Sequence, residues 1–253
     1  MDLEKHHIVL AKNYSSDYTF YDNGSFSFKR VHQWKTPSIE LDVFPYYWSV
    51  AVSDLRPGQL KIRAGSQLME LSGLWAAFIP AFSIVEWQMQ PGEFRFEAFL
   101  SQEPLPAQAP SRPCLFPLDD TRPNSIHDLM DLLSQVKDIR PFGKCLSPPP
   151  QALSTKSFLD THFQVDISIS EIANQLDISH AAMTRNFKKS FGMSPIAYRN
   201  KLRVYHSVAD MLTRSEKVYR AGLSSGFSDI SRFYSQFRKY IGATPSLFLR
   251  NDD

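Results

Sequence analysis

Two proline-rich runs punctuate this chain and set where its domains are expected to divide. Five prolines fall within residues 102–117 (Pro104, Pro106, Pro110, Pro113 and Pro117), and Pro148-Pro149-Pro150 lies within residues 143–155. Proline has no amide donor and a fixed φ, so such runs leave extended connectors rather than helix interiors or central strands. The 253 residues suit roughly two domains of about 100 to 200 residues each. The expected division is a β-rich domain at 1–117, a helical segment at 118–141, a proline-rich linker at 142–156 and a helical domain at 157–253, an α+β chain overall.

Charge separates along the same line. The formal net charge is only +2, but residues up to Gln151 carry −3 and the remainder +5. The two parts should therefore meet different partners, and the basic part is where a polyanion would bind. With 43% apolar and 13% aromatic residues, wholesale disorder is excluded.

Other classes are excluded in turn. The longest mostly apolar run, residues 73–82, contains Pro80 and is far short of the ~20 residues a membrane helix needs. Residues 1–12 lack a signal-peptide pattern, so a cytoplasmic protein with no membrane partner is expected. Cys114 and Cys145 supply neither a disulfide framework nor a zinc site, and free thiols are expected.

The first part reads as strands. Residues 25–29 alternate around Phe26 and Phe28, and 39–44 around Ile39, Leu41 and Val43. Residues 48–52, 59–63 (after Pro57-Gly58), 67–71, 75–79, 84–89 and 93–99 (after Pro91-Gly92) follow at similar spacing. Short strands with regular turn signals predict a barrel or sandwich. Ile126, Leu129, Met130, Leu133 and Val136 then recur at helical spacing. That face either packs on its own barrel or pairs across a homodimer.

From residue 157 onward, caps punctuate helices. Ser168 and Glu171 form a capping box. Ser179 begins a helix ending at Gly192, and Ser194-Pro195 opens a longer one to about Leu212. Ser228 is placed to cap a last helix ending at Gly242 and Pro245. Residues 168–192 therefore have the layout of a helix-turn-helix, whose second helix enters the major groove, and residues 218–242 repeat it. Two recognition helices on a connecting rod can reach successive major-groove segments of one duplex, one turn or ~34 Å apart.

This segment resembles the DNA-binding domain of the AraC/XylS family of bacterial transcription regulators. The resemblance rests on Ile172-Ala173, Ile178-Ser179, Met183, Arg185, Phe187, Phe191-Gly192 and Ser194-Pro195 in the first unit. In the second it rests on Gly226-Phe227-Ser228-Asp229, Phe233, Phe237, Arg238, Gly242 and Thr244-Pro245. It spans residues 157–250. It implies a sequence-specific regulator, usually an activator, that binds double-stranded promoter DNA and works with RNA polymerase. It also implies a cupin-like N-terminal barrel that receives a signal and supports a homodimer. The chain departs from the family at Ala221-Gly222, where glycine weakens a helix by about 1 kcal/mol relative to alanine. Ile230 and Tyr234 replace the usual amides of the second recognition face, which tilts it toward thymine methyls.

The candidate DNA-binding residues are His180, Ala181, Thr184, Arg185, Lys188 and Lys189 on the first recognition helix. On the second they are Ile230, Ser231, Arg232, Tyr234, Ser235, Arg238 and Lys239. Arg185 suits bidentate pairing with guanine, a phosphate contact or an internal salt bridge. Lys188, Lys189, Arg238 and Lys239 suit phosphates or the helix dipole. Tyr198, Phe187, Phe233 and Phe237 are assigned to the core, and Arg199, Lys201 and Arg203 to a solvated or salt-bridged face.

In the first part, metal chemistry would need converging His and carboxylate ligands. His32 is the only barrel histidine, with His6 and His7 in an N-terminal arm, so no metal and no cofactor is expected. Tryptophans and other aromatics fill the core or line a site for an apolar small-molecule effector. His32, Trp34, Trp48, Arg63, Trp75, Trp87 and Arg95 are the candidate contacts. An enzyme fused to a DNA-binding module is disfavoured, because both cysteines lie in or beside proline-rich segments. A barrel serving only protein interaction and dimerisation is the alternative to an effector sensor.

Overall fold

The computed structural model describes residues 3–105, 107, 109–118, 128, 131, 134–135, 138–143 and 147–249. The chain forms two compact units, residues 1–42 with 46–143, and 43–45 with 144–253. The helix expected around Ile126, Leu129, Met130, Leu133 and Val136 lies outside the described residues.

The first unit is an antiparallel sheet of β1 (Leu3–Leu10), β2 (Tyr14–Tyr21), β3 (Phe26–Trp34), β4 (Ser38–Asp42), β5 (Trp48–Ala64), β6 (Gln67–Ile79), β7 (Val85–Met89), β8 (Gly92–Ser101), β9 (Cys114–Pro117) and β10 (Arg140–Pro141). The main hydrogen-bonded path is β1-β2-β3-β8-β5-β6-β9-β10, with β4 on β7 and β7 on β5. Among the described residues its two ends do not pair, so the sheet is open, which corrects the expected closed barrel. The physical reason lies at its ends. The segment taken for an arm, with His6 and His7, is strand β1, which pairs with β2 and prolongs the sheet beyond β3; among the described residues nothing else pairs with β1.

The expected turn at Pro57-Gly58 is a bulge inside one long strand. The β5–β6 register shifts between Leu55 and Leu60, with φ of 76° at Gly58. Five steps along β5 from Leu55 to Leu60 oppose only two along β6 from Gly73 to Leu71, and the left-handed glycine lets the longer strand bend there. As a result β5 pairs with β8 through residues 48–52 and with β7 through residues 60–62. Trp48, Phe78, Cys114 and Phe116 anchor one core cluster, and Ile62, Leu71, Val85 and Phe142 the other. Burial raises the Cys114 thiol to about 11, so it is an inert core residue.

The second unit contains α1 (Pro150–His162), α2 (Ile169–Gln175), α3 (His180–Phe191), α4 (Pro195–Arg214), α5 (Val218–Ser224), α6 (Ile230–Ile241) and a 3-10 turn (Pro245–Phe248). Helix α1 starts inside the stretch expected to be linker. Pro150 takes the first helical position, where its missing amide costs nothing. None of the described helices is long and apolar enough to cross a membrane.

Candidate nucleic-acid interface

The first helix-turn-helix is fixed by local chemistry. Ser168 Oγ accepts from Glu171 N at 3.1 Å, and Glu171 Oε2 accepts from Ser168 N at 2.8 Å. Asp177 adopts φ 52°, which turns the chain, and Ile178 N donates to Ala173 O at 2.9 Å. Ser179 then caps α3, and Gly192 ends it in the left-handed conformation. Met183 and Phe187 are buried, with the Phe187 ring 5.5 Å from Tyr198 on α4. This packing leaves His180, Ala181, Arg185, Lys188 and Lys189 exposed and Thr184 half-buried.

The second unit repeats this construction with one added residue. Gly226 takes φ 93° where the first turn has Asp177, and Phe227 N donates to Gly222 O at 3.2 Å. Ser228 was the expected cap, but it is an extra turn residue. Asp229 caps α6 instead, accepting from Ser231 N at 2.7 Å. Phe233 and Phe237 are fully buried, with Phe227 5.3 Å and Phe248 5.4 Å from them respectively. Ser231, Arg232, Ser235, Arg238 and Lys239 are exposed, while Ile230 and Tyr234 are half-buried. The Tyr234 ring stands edge-on to Phe233 at 5.8 Å. Part of the apolar surface expected to face bases therefore supports the helix itself.

Both units pack on α4, and here one expectation is corrected. Arg199, Lys201 and Arg203 are 7%, 6% and 5% exposed, rather than lying on a solvated face. Arg203 donates from Nε to Phe163 O at 2.5 Å and from Nη2 to Val165 O at 3.0 Å, and Arg199 Nη1 donates to Ile167 O. Carbonyls left over where α1 ends and α2 has not begun need donors, and a planar guanidinium supplies several at once. Burial, then Arg199 beside it, lowers the Arg203 pKa to about 10, so it stays charged at neutral pH. Lys201 Nζ lies 5.7 Å from the rings of both Tyr205 and Tyr240. Spacing of four between Arg199 and Arg203 was the available signal, but a repeat of that kind does not distinguish a wet face from a buried one.

Further ties hold the same frame. Tyr198 donates to Asp160 Oδ1 at 2.6 Å, and Lys156 pairs with Asp160 Oδ2 at 2.6 Å. Even so, burial raises the Asp160 pKa. Asp210 gathers Arg214 at 3.2 Å and Ser224 Oγ at 3.2 Å, which joins α4 to α5. Gln164 Nε2 donates to Ser224 O at 2.9 Å and reaches His206 Nε2 at 2.9 Å.

Of the residues expected to contact an effector, Trp34, Trp75 and Trp87 pack against the Ile62–Phe142 core cluster, whereas Trp48 belongs to the other one. Trp48 is buried, with Nε1 donating to Glu103 O at 2.8 Å. Trp75 Nε1 donates to Ser72 O at 2.9 Å, and Trp87 lies 5.7 Å from Phe142. Arg63 pairs with buried Glu86 at 3.0 Å, and exposed Arg95 with Glu93 at 2.7 Å. His32 and Trp34 do meet, stacked at 3.9 Å and 9°. Among the described residues no group of three or more His, Cys, Asp or Glu side chains is placed to hold a metal ion.

Residues 172–251 match a family described as "Helix-turn-helix domain". The "Transcriptional regulatory protein HptR" of Staphylococcus aureus strain NCTC 8325 is 30% identical over 84 residues, 33% of each chain. An uncharacterized response regulatory protein of Staphylococcus epidermidis is 28% identical over 90 residues, 36% of each. The chain thus spans about a third of the length of these curated relatives. The solved structure of ToxT from Vibrio cholerae is similar in fold, with a TM-score of 0.53 at 12% identity, over 88% of this chain and 97% of that one. Over residues 172–251 its paired helix-turn-helix units are thus similar to those of the AraC/XylS family of transcription regulators.

Proposed function

We propose that the protein is a sequence-specific transcription activator that inserts α3 and α6 into successive major-groove segments of promoter DNA. The observation that carries this is the repeated construction. Two capped helices, each with a buried aromatic stripe and exposed cations (Arg185, Lys188 and Lys189; Arg232, Arg238 and Lys239), pack on one bracing helix. Arg185 pairs with a base, and the lysines and arginines at the helix C-termini meet phosphates. With net +5 after Gln151, the electrostatic term is modest, so affinity depends on seating both helices and on a homodimer.

The N-terminal unit acts as the sensor, binding a small effector and changing the placement of the two DNA-binding domains before RNA polymerase is engaged. An effector does this only through different affinities for the two arrangements. Exposed Ile8 and Leu10 on β1, which among the described residues pairs with β2 alone, favour a second role for this unit in protein interaction. Selection from randomised duplexes tests the reading. Enriched sites with two conserved blocks about one helical turn apart support it, and a single block or no enrichment overturns it.

A further inference from the structure

Tyr14 on β2 and Trp34 on β3 each bury a hydrogen-bond donor that no described residue meets. Tyr14 is 7% exposed, and neither its Oη nor Trp34 Nε1 has a partner among the described residues. The register sets Tyr14 opposite His32 and His32 opposite Phe94, and Trp34, two residues on from His32, shares that face. The rings run in a row, Tyr14 to His32 at 5.4 Å and His32 to Trp34 at 3.9 Å. Arg30 lies on the same face, its guanidinium 4.5 Å from the Tyr14 ring centre and held by Ser16 Oγ at 2.7 Å and Tyr18 Oη at 3.0 Å. Burial and then Arg30 hold the His32 pKa down to about 4 against the opposing pull of the Asp42 carboxylate, so the imidazole is neutral with the Arg30 guanidinium on its own face of the sheet.

We propose that Tyr14, His32 and Trp34 form the binding site for a flat organic anion, an aromatic carboxylate whose oxygens accept from Tyr14 Oη and Trp34 Nε1. An indole N–H only donates, so the ligand must bring acceptors. The nearby guanidinium favours negative charge on it, and the ring row with Phe94 and Phe96 favours a planar apolar body. Two unmet buried donors are costly to keep, and a ligand that pairs them recovers that cost on binding. This proposal rests on the sensor reading of the N-terminal unit. It selects Tyr14, and it excludes Trp48 and Trp75, whose N–H groups are already bonded.

The test uses the purified full chain without DNA. Titration calorimetry with cinnamate and with naphthoate, each against its neutral amide, is combined with thermal melting of the ligand-free protein and of Tyr14→Phe and Trp34→Phe. Saturable binding of at least one carboxylate is expected, about tenfold or more tighter than its amide, with about a tenfold loss in each variant. Ligand-free Tyr14→Phe should melt at or above the parent temperature, because it deletes an unmet donor. Absence of saturable binding by both carboxylates, equal affinity for acid and amide, unchanged affinity in both variants, or a lower melting temperature for Tyr14→Phe would each overturn the site. A second arm repeats DNA binding by fluorescence anisotropy with and without saturating carboxylate: binding of the ligand that leaves DNA affinity unchanged would overturn the sensor reading while the site stands.

Discussion

Gly222 lies directly against the ring of Phe233: a methyl group on its Cα would stand 3.0 Å from Cδ1 and 3.1 Å from Cγ of that ring. The glycine that departs from the family pattern is thus in direct contact with the core ring of α6. Its weak helix propensity is exchanged for a deeply seated Phe233. We expect Gly222→Ala to change stability by less than about 1 kcal/mol, since gained propensity offsets a small displacement of the ring. Gly222→Val should cost about 2 kcal/mol or more and weaken specific DNA binding through α6. Urea unfolding and fluorescence anisotropy on the same samples check both, and a neutral Gly222→Val would show that the ring is free to move.

Gly226 presents a harder limit. Its φ is +93°, and an added Cβ would fall 2.4 Å from the carbonyl oxygen of Gln164 and 2.8 Å from Gln164 Cα. Backbone atoms cannot swing aside as a side-chain tip can. Gly226→Ala should therefore destabilise the C-terminal unit by about 3 kcal/mol, combining left-handed strain with a steric clash. A urea midpoint within error of the parent would refute this.

Arg185 and Arg203 should fail in opposite ways. Arg185 is exposed on α3, so Arg185→Ala should leave melting unchanged and weaken specific binding by about 1 to 3 kcal/mol, relaxing one base position. Arg203 is 5% exposed and satisfies Phe163 and Val165 carbonyls, so Arg203→Met should cost about 2 to 3 kcal/mol of stability. Equal loss on target and random DNA for Arg185→Ala would reduce that side chain to a phosphate contact.

The N-terminal unit should lose stability in mild acid. Burial first, and then Arg30, lowers the His32 pKa from 6.5 to about 4, with Asp42 opposing them. The unfolded chain takes up a proton below about pH 6.5, whereas the folded unit does so only below about pH 4, so protonation in that window favours unfolding. The contribution is complete above pH 6.5 and is lost progressively as pH falls toward 4. All four tryptophans lie in this unit, so their fluorescence reports its melting. His32→Phe keeps a ring on Trp34 and should show a shallower fall in melting temperature. Parallel pH profiles for parent and variant would assign the effect to other groups.

Much of the C-terminal unit was legible because its signals are local. A Ser hydroxyl three residues before a free amide, a Gly where the chain must turn left-handed, and aromatics four residues apart act within one turn of chain. Ser168, Ser179, Gly192, Phe233 and Phe237 accordingly stand in their expected roles. The cap of α6 was misplaced by one residue, because Ser228 and Asp229 are both good caps and only the longer second turn decides between them. Strands β1 and β2 were missed because Lys5, His6 and His7 and the inward-facing Ser16 blur the alternation that marks a half-buried strand.

By itself, then, the sequence determined two repeated helix-turn-helix units, their exposed faces and a strand-rich first part, since capping, turn chemistry and periodicity depend on near neighbours. The tertiary structure alone decided that Arg199 and Arg203 are buried braces, that Gly222 makes room for Phe233, and that the sheet ends at an open edge. It also placed Trp48 in a different core cluster from Trp34, Trp75 and Trp87, and brought Tyr14 to His32 and Trp34. Each of these depends on which distant segment packs alongside, and long-range pairing leaves no fixed spacing in the chain for a sequence pattern to carry.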